Sequence, residues 1–147
     1  MGLGADGVPG LSEPARAAIA QAELVAGSQR QLQLVQTLVG GETLVWPSPL
    51  SDGIAKILTR RGRSTCVLAS GDPFWYGIGA TLAARLDARE LSCHPAPSSL
   101  SLAAARLGWA IADVQVVSLH GRDLQLILPH LAPERRLLVL SWDARTP

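Results

Sequence analysis

The chain is short of several things, and each shortage closes off a class of function. Net charge is nearly absent: 13 Lys and Arg against 12 Asp and Glu leave +1 over 147 residues. That is too weak a field to attract nucleic acid or a membrane surface, and neither partner is expected. The densest basic stretch, Arg60-Arg61-Gly62-Arg63, reads as a cationic helix end set against the helix dipole. Only 2 cysteines occur. Cys66 and Cys93 each stand in an apolar, strand-like stretch and read as reduced, buried thiols. Without a C-x-x-C spacing, neither a zinc site nor a redox pair is supported. His94, His120 and His130 share no ligand spacing, so no metal site is expected. No apolar run approaches the roughly 18 residues of a membrane span. The first residues lack the basic start and apolar core of a secretory signal, and a cytoplasmic location is expected.

Aromatic residues are scarce too: 4 Trp, 1 Tyr and 1 Phe. Half of them form one run, Phe74-Trp75-Tyr76, beside Asp72 and Pro73. Consecutive residues point in different directions, so the three rings cannot all enter one core. Either they pack under the next helix or at least one faces a cleft.

What the chain does have is 48% hydrophobic residues, enough at this length for a core. The apolar pattern alternates between strand and helix. Ser12 can cap a helix with Pro14 in its first turn, and Ala15, Ala18, Ile19 and Ala22 recur at helical spacing. "ELVAGS" is a strand, after which Ser28 opens a second helix carrying Leu32 and Val35 and closed by Gly40-Gly41. Residues 43–46 read as a strand and 51–61 as a helix ended by Gly62. "STCVLAS" is a continuous apolar run, as a central parallel strand buried on both faces requires. Then follow a helix at 78–87, a strand at 90–94, a helix at 98–107 stopped by Gly108, the strand "VQVVSL", a helix at 123–131 and the strand "RRLLVLSW". The fold class is α/β, a mostly parallel sheet with helices on both faces. Ligands of such sheets sit at the carboxyl ends of the strands.

Four turns after strands can carry chemistry. Gly2-Leu3-Gly4-Ala5-Asp6-Gly7 permits close backbone approach, but it is not G-x-G-x-x-G and makes a weak dinucleotide fingerprint. Ser70-Gly71-Asp72-Pro73 hangs a lone acid off a strand end. Ser98 and Ser99 open a helix after two prolines, and their hydroxyls and N–H groups can meet a polar ligand; neither lies in G-x-S-x-G. Ser118-Leu119-His120-Gly121-Arg122 places an arginine where it can hold a carboxylate through two parallel hydrogen bonds. Each also has a plain reading as a turn, a cap or a solvated surface. No carboxylate pair stands out for acid–base work.

Taken in order, these stretches resemble the tetrapyrrole (corrin/porphyrin) methylase family over essentially the whole chain. Ala69-Ser70-Gly71-Asp72-Pro73-Phe74-Trp75-Tyr76-Gly77 and Ser118-Leu119-His120-Gly121-Arg122 carry it most specifically. Gly2-Leu3-Gly4-Ala5-Asp6-Gly7, Pro97-Ser98-Ser99 and Ala103-Ala104-Ala105-Arg106-Leu107-Gly108-Trp109 support it. The resemblance implies S-adenosylmethionine as methyl donor, bound in a cleft between two α/β domains, usually in a homo-oligomer. The acceptor it implies is carbon 5 of a precorrin-6Y-type corrinoid in cobalamin biosynthesis. By position, it would assign Gly4, Ala5, Ser70, Gly71, Asp72, Trp75, Ser98 and Ser99 to the donor. Beyond the resemblance, we expect Asp6, His120 and Arg122 to face the corrinoid, whose carboxylate arms need cationic or hydrogen-bonding partners. Ala5 stands where relatives often have proline. No catalytic residue is assigned.

Almost no strand precedes the first glycine turn, and the chain closes on an apolar strand. We therefore expect one α/β domain over 1–135, the first strand of a further, largely missing domain at 136–147, and little activity in the fragment alone. The alternatives are a Rossmann-like nucleotide-binding module without methyl transfer and a non-catalytic relative that keeps only the fold.

Overall fold

The apolar run at 65–70 organises the first part of the chain. In the computed structural model, which describes residues 1–141, the chain divides into two units, Met1–Ser98 and Ser99–Pro147. The first holds strands β1 (Gly2–Leu3), β2 (Leu24–Gly27), β3 (Glu42–Val45), β4 (Thr65–Val67) and β5 (Ala69–Ser70). Its helices are α1 (Glu13–Ala20), α2 (Gln29–Val35), α3 (Leu50–Leu58) and α4 (Ile78–Ala83). All pairings are parallel: β2 lies between β3 and β4, and β5 pairs with β1 in the register Gly2↔Ala69, Leu3↔Ser70. The ladder passes from one neighbour to the other at Leu68. The Leu68 N–H donates to the Ala26 carbonyl at 2.7 Å, and the Ala69 N–H donates to the Met1 carbonyl at 2.8 Å.

Helices cover both faces, as the sequence predicts. Ile19 of α1 and Leu32 and Val35 of α2 pack with Val25, Cys66 and Leu68. Ile54 and Ile57 of α3 and Leu82 of α4 pack with Leu24 and Ala26. Neighbouring residues of β2 thus enter opposite cores, following the period of two that a strand imposes. The helix starts are locally encoded. The Ser12 hydroxyl accepts the Ala15 N–H at 3.4 Å, and Ser28 and Gln31 form a reciprocal capping box.

The second unit contains α5 (Ser99–Leu107) and strands β6 (Val114–Ser118) and β7 (Arg136–Leu140). β6 and β7 pair in parallel from Val114↔Arg136 to Ser118↔Leu140. The Arg136 guanidinium stands 5.5 Å from the centre of the Trp109 ring, a cation–π contact.

Several expectations need correction. Residues 90–94 form no strand. Asp87 and Glu90 instead close a capping box around a 3-10 turn, Ala88–Glu90, and Cys93 is exposed rather than buried. Cys66 is buried as expected, and burial pushes its thiol pKa up. The helix read at 123–131 is a 3-10 segment, Leu124–His130, with Pro129 inside it; proline supplies no N–H and its ring crowds the preceding turn of an α-helix. α2, α3 and α4 end before the boundaries read from the pattern. Residues 142–147, which include Trp142 of the last predicted strand and the tail assigned to a further domain, lie outside the described residues.

The basic stretch at the end of α3 is balanced by acids from elsewhere in the fold. Arg60 reaches Glu42 at 3.2 Å and Glu23 at 3.9 Å. Arg61 Nε donates to Glu90 Oε2 at 2.8 Å. Hydrogen bonding from Arg61 holds the Glu90 carboxyl below the usual carboxylate range.

Candidate functional site

Three parts of the first unit meet at the carboxyl ends of β1 and β5. β1 runs into a glycine turn in which the Gly7 N–H donates to the Gly4 carbonyl at 3.3 Å. Because Leu3 pairs with Ser70, Gly4 follows beside Gly71, whose N–H donates to the Leu3 carbonyl at 2.9 Å. The third part is the extended segment 94–98. The Gly2 N–H donates to the His94 carbonyl at 2.7 Å, and the Ala96 N–H donates to the Gly71 carbonyl at 3.4 Å.

This convergence needs glycine. Gly71 has φ +63°, and a Cβ built on it would stand 2.9 Å from Ser98 Cα and 3.0 Å from the Pro97 carbonyl oxygen. A side chain on Gly2 would collide with the Gly71 carbonyl and the Ala96 nitrogen. The backbones therefore touch with no side chains between them. That geometry leaves peptide groups, not side-chain bulk, to form the floor at the strand ends.

The polar groups sit around that floor. Asp72 is half-buried, and its Oδ1 accepts the Phe74 N–H at 2.8 Å. This short-range bond fixes the carboxylate at the start of the turn. Asp6 is exposed; its carboxylate folds back over its own loop, where a Cβ on Gly4 or Gly10 would strike it. Ala5 is exposed at the turn, Ser98 is half-buried, and Ser70 is exposed.

The ring run is only partly covered by the fold. Phe74, Trp75 and Tyr76 are 48%, 46% and 55% exposed. Trp75 and Tyr76 meet edge to face, with ring centres 5.9 Å apart. Tyr76 has φ +52°, a left-handed conformation that costs a residue with a Cβ about 1–2 kcal/mol. The turn is compact behind them: the Gly79 N–H donates to the Pro73 carbonyl at 2.8 Å, and a Cβ on Gly79 would come within 2.6 Å of that oxygen.

Of the residues singled out from the sequence, Gly4, Ala5, Asp6, Ser70, Gly71, Asp72, Trp75 and Ser98 belong to the first unit. Ser99, His120 and Arg122 belong to the second. There Ser99 opens α5, and His120 and Arg122 are exposed on a turn where the Arg122 N–H donates to the Leu119 carbonyl at 3.1 Å and Gly121 has φ +67°.

Sequence reasoning missed Gln31. Its Nε2 donates to Ser70 Oγ at 3.1 Å, tying the start of α2 to the end of β5. The S-x-x-Q spacing marked its capping role; its reach to Ser70, 39 positions away, left no local trace.

A cavity of about 540 Å³ opens at the other end of the first unit, lined by Met1, Thr65, Cys66, Leu82 and Arg60 among others. It lies at the amino ends of β1 and β4, whereas parallel sheets bind ligands beyond their carboxyl ends. Among the described residues, no group of three or more His, Cys, Asp or Glu is placed to hold a metal ion, and no helix is long and apolar enough to cross a membrane.

The family model for tetrapyrrole (corrin/porphyrin) methylases matches residues 1–146. Precorrin-6Y C(5,15)-methyltransferase [decarboxylating] of Sinorhizobium sp is 50% identical over 147 residues, covering 100% of this chain and 36% of that protein. Cobalt-precorrin-7 C(5)-methyltransferase of Salmonella typhimurium is 31% identical over 145 residues, covering 99% of this chain and 70% of that one. The crystal structure of a cobalamin-biosynthesis precorrin-6Y methylase from Archaeoglobus fulgidus matches with a TM-score of 0.69 at 29% identity, covering 99% of this chain and 74% of the other. The chain thus spans 36% of the length of the Sinorhizobium relative.

Proposed function

The chain belongs to the tetrapyrrole (corrin/porphyrin) methylases, and from that premise we propose that it contributes to S-adenosylmethionine-dependent methylation of a corrinoid precursor. The acceptor would be carbon 5 of a precorrin-6Y-type ring on the way to cobalamin, in the cytoplasm and within a homo-oligomer. The observation that carries this reading is the side-chain-free meeting of Gly2, Gly71 and the 95–98 segment at the strand ends.

The residues present suit that donor. A floor of peptide groups admits a flat, polar molecule closely. Asp72 keeps Oδ2 for its amino or hydroxyl groups while Oδ1 holds the turn. In this assignment Gly4, Ala5, Ser70, Gly71, Asp72, Trp75, Ser98 and Ser99 hold the donor. Asp6, His120 and Arg122 meet the corrinoid, whose carboxylate arms call for cationic and hydrogen-bonding groups.

S-adenosylmethionine supplies a methyl group already activated by its positive sulfur, and an electron-rich ring carbon needs no strong base to accept it. The protein's task is alignment, which in well-oriented reactions lowers barriers by about 7–11 kcal/mol. A site of loops and glycines without an acid–base pair fits that task. The second reading, a nucleotide-binding module without methyl transfer, has the glycine turn in its favour but lacks the dinucleotide spacing.

Titration of the ¹⁵N-labelled chain to millimolar S-adenosylhomocysteine tests the reading even where affinity is low. Amide shifts are expected at 4–6 and 70–77, and Gly71→Ala should weaken binding about tenfold, as a loss near 1.4 kcal/mol does. Shifts at those positions from a nicotinamide dinucleotide, with none from S-adenosylhomocysteine, would overturn it.

A further inference from the structure

We propose that Gln31 is a positioning residue that sets the hydrogen-bonding polarity of Ser70, so that Ser70 meets the methyl donor as a hydrogen-bond donor; this rests on the proposed placement of Ser70 in the donor site. Gln31 Oε1 accepts the Ser28 backbone N–H at 2.8 Å. A backbone N–H can only donate, so the atom facing it must be the amide oxygen, and the amide cannot be turned over. The other end, facing Ser70 at 3.1 Å, is therefore the NH₂ group. Ser70 Oγ must accept there, which commits one lone pair and leaves the hydroxyl proton for another partner.

The rest of the local structure holds Gln31 in that pose. Its backbone N–H donates to Ser28 Oγ at 3.3 Å, completing the box. Gly27 ends β2 beneath it, and a Cβ there would stand 3.1 Å from both Gln31 Oε1 and Leu68 Cβ. The side chain is half-buried, and it lies across the end of β2 to reach the end of β5. A ligand oxygen that accepts but cannot donate, such as a carboxylate, is the partner that this Ser70 suits.

Gln31→Glu separates the two roles. It keeps an oxygen for the Ser28 N–H, and Glu serves in a capping box as well as Gln. At Ser70 it puts an acceptor where a donor stood, so the hydroxyl proton turns toward Glu and away from the site. The melting temperature should stay within about 2 °C of the parent chain's, as for substitutions that keep a cap. Affinity for S-adenosylhomocysteine, measured by the same titration in 1 M salt to screen the new charge, should fall about three- to tenfold, as for one net hydrogen bond. Ser70→Ala should cost a similar factor. In the Ser70→Ala background Gln31→Glu should then cost less than twofold, because the residue through which it acts is gone. Equal losses in both backgrounds, or no loss in either, would overturn the proposal. A readout without ligand keeps it separate from the reading beneath it: the Gln31 side-chain NH₂ resonances should shift on Ser70→Ala. If they do not, the positioning bond is absent and the proposal fails. If they do and the parent chain shows no shift with S-adenosylhomocysteine, the donor-site reading fails, and with it the assignment of the freed proton to that ligand.

Discussion

The two units of this chain are both rich in leucine and alanine and handle them differently. In Met1–Ser98, Ile19, Val25 and Val35 are fully buried, and Leu68 is 1% exposed. In Ser99–Pro147, Leu102, Leu107, Leu124, Leu126, Leu128 and Leu131 are between 45% and 60% exposed. The first unit has helices on both faces of its strands, so the inward sides of those helices find a partner, while Val45, Leu50 and the rings at 74–76 stay exposed. Among the described residues, the second has one α-helix and a two-stranded ladder. Its leucines at 124, 126 and 128 also sit in a 3-10 segment. With three residues per turn, a step of two residues turns each leucine onto a different side. No single surface can cover all three. Apolar composition measures what a chain can bury; periodicity decides how much it does.

The comparison can be broken first at the core. Ile19→Ala should cost about 2–5 kcal/mol in denaturant unfolding, the range for emptying a close-packed site. A loss under 1 kcal/mol would mean that the first unit is not the packed one. Cys66 gives a subtler test in the same core. Burial raises its thiol pKa in the folded chain, so folding favours the neutral form. Its contribution to stability is complete below the ordinary thiol value of about 8.5, and is lost as pH rises toward the folded value, because the unfolded chain ionises first. Melting temperature should therefore fall with alkaline pH more steeply for the parent chain and for Cys93→Ser than for Cys66→Ala. The smallest effect belongs to the second unit: Leu128→Gln should change stability by no more than about 0.5 kcal/mol, as surface substitutions do. A larger loss would show that this leucine is covered in solution.

Much of this was legible beforehand because it is local. Ser12 and Ser28 announce helix starts by capping chemistry, and the unbroken apolar run around Leu68 announces a strand with two covered faces. The errors came where two local signals competed. Residues 90–94 carry an apolar pattern, but Asp87 and Glu90 cap a turn that draws in the first of them, and Cys93 is left outside. At 123–131 the leucines favour an α-helix, and Pro129 opposes one; in the fold the proline prevails and the segment is 3-10. At the candidate site, glycines and Asp72 could be named from their turns. That Gly71 packs against Ser98, or that Gln31 reaches Ser70, depends on strand order, which no window of neighbouring residues contains.

The change of neighbour at Leu68 has a mechanical consequence. β1, two residues long, has too few rungs to be stiff by itself. It is spliced, through Ala69 and Ser70, onto a strand already anchored against β2 in the interior. Force applied at Ser70 or Gly71 is therefore carried down one continuous backbone to Val67 and Cys66, and from there across the ladder to Ala26 and Val25 in the deepest part of the protein.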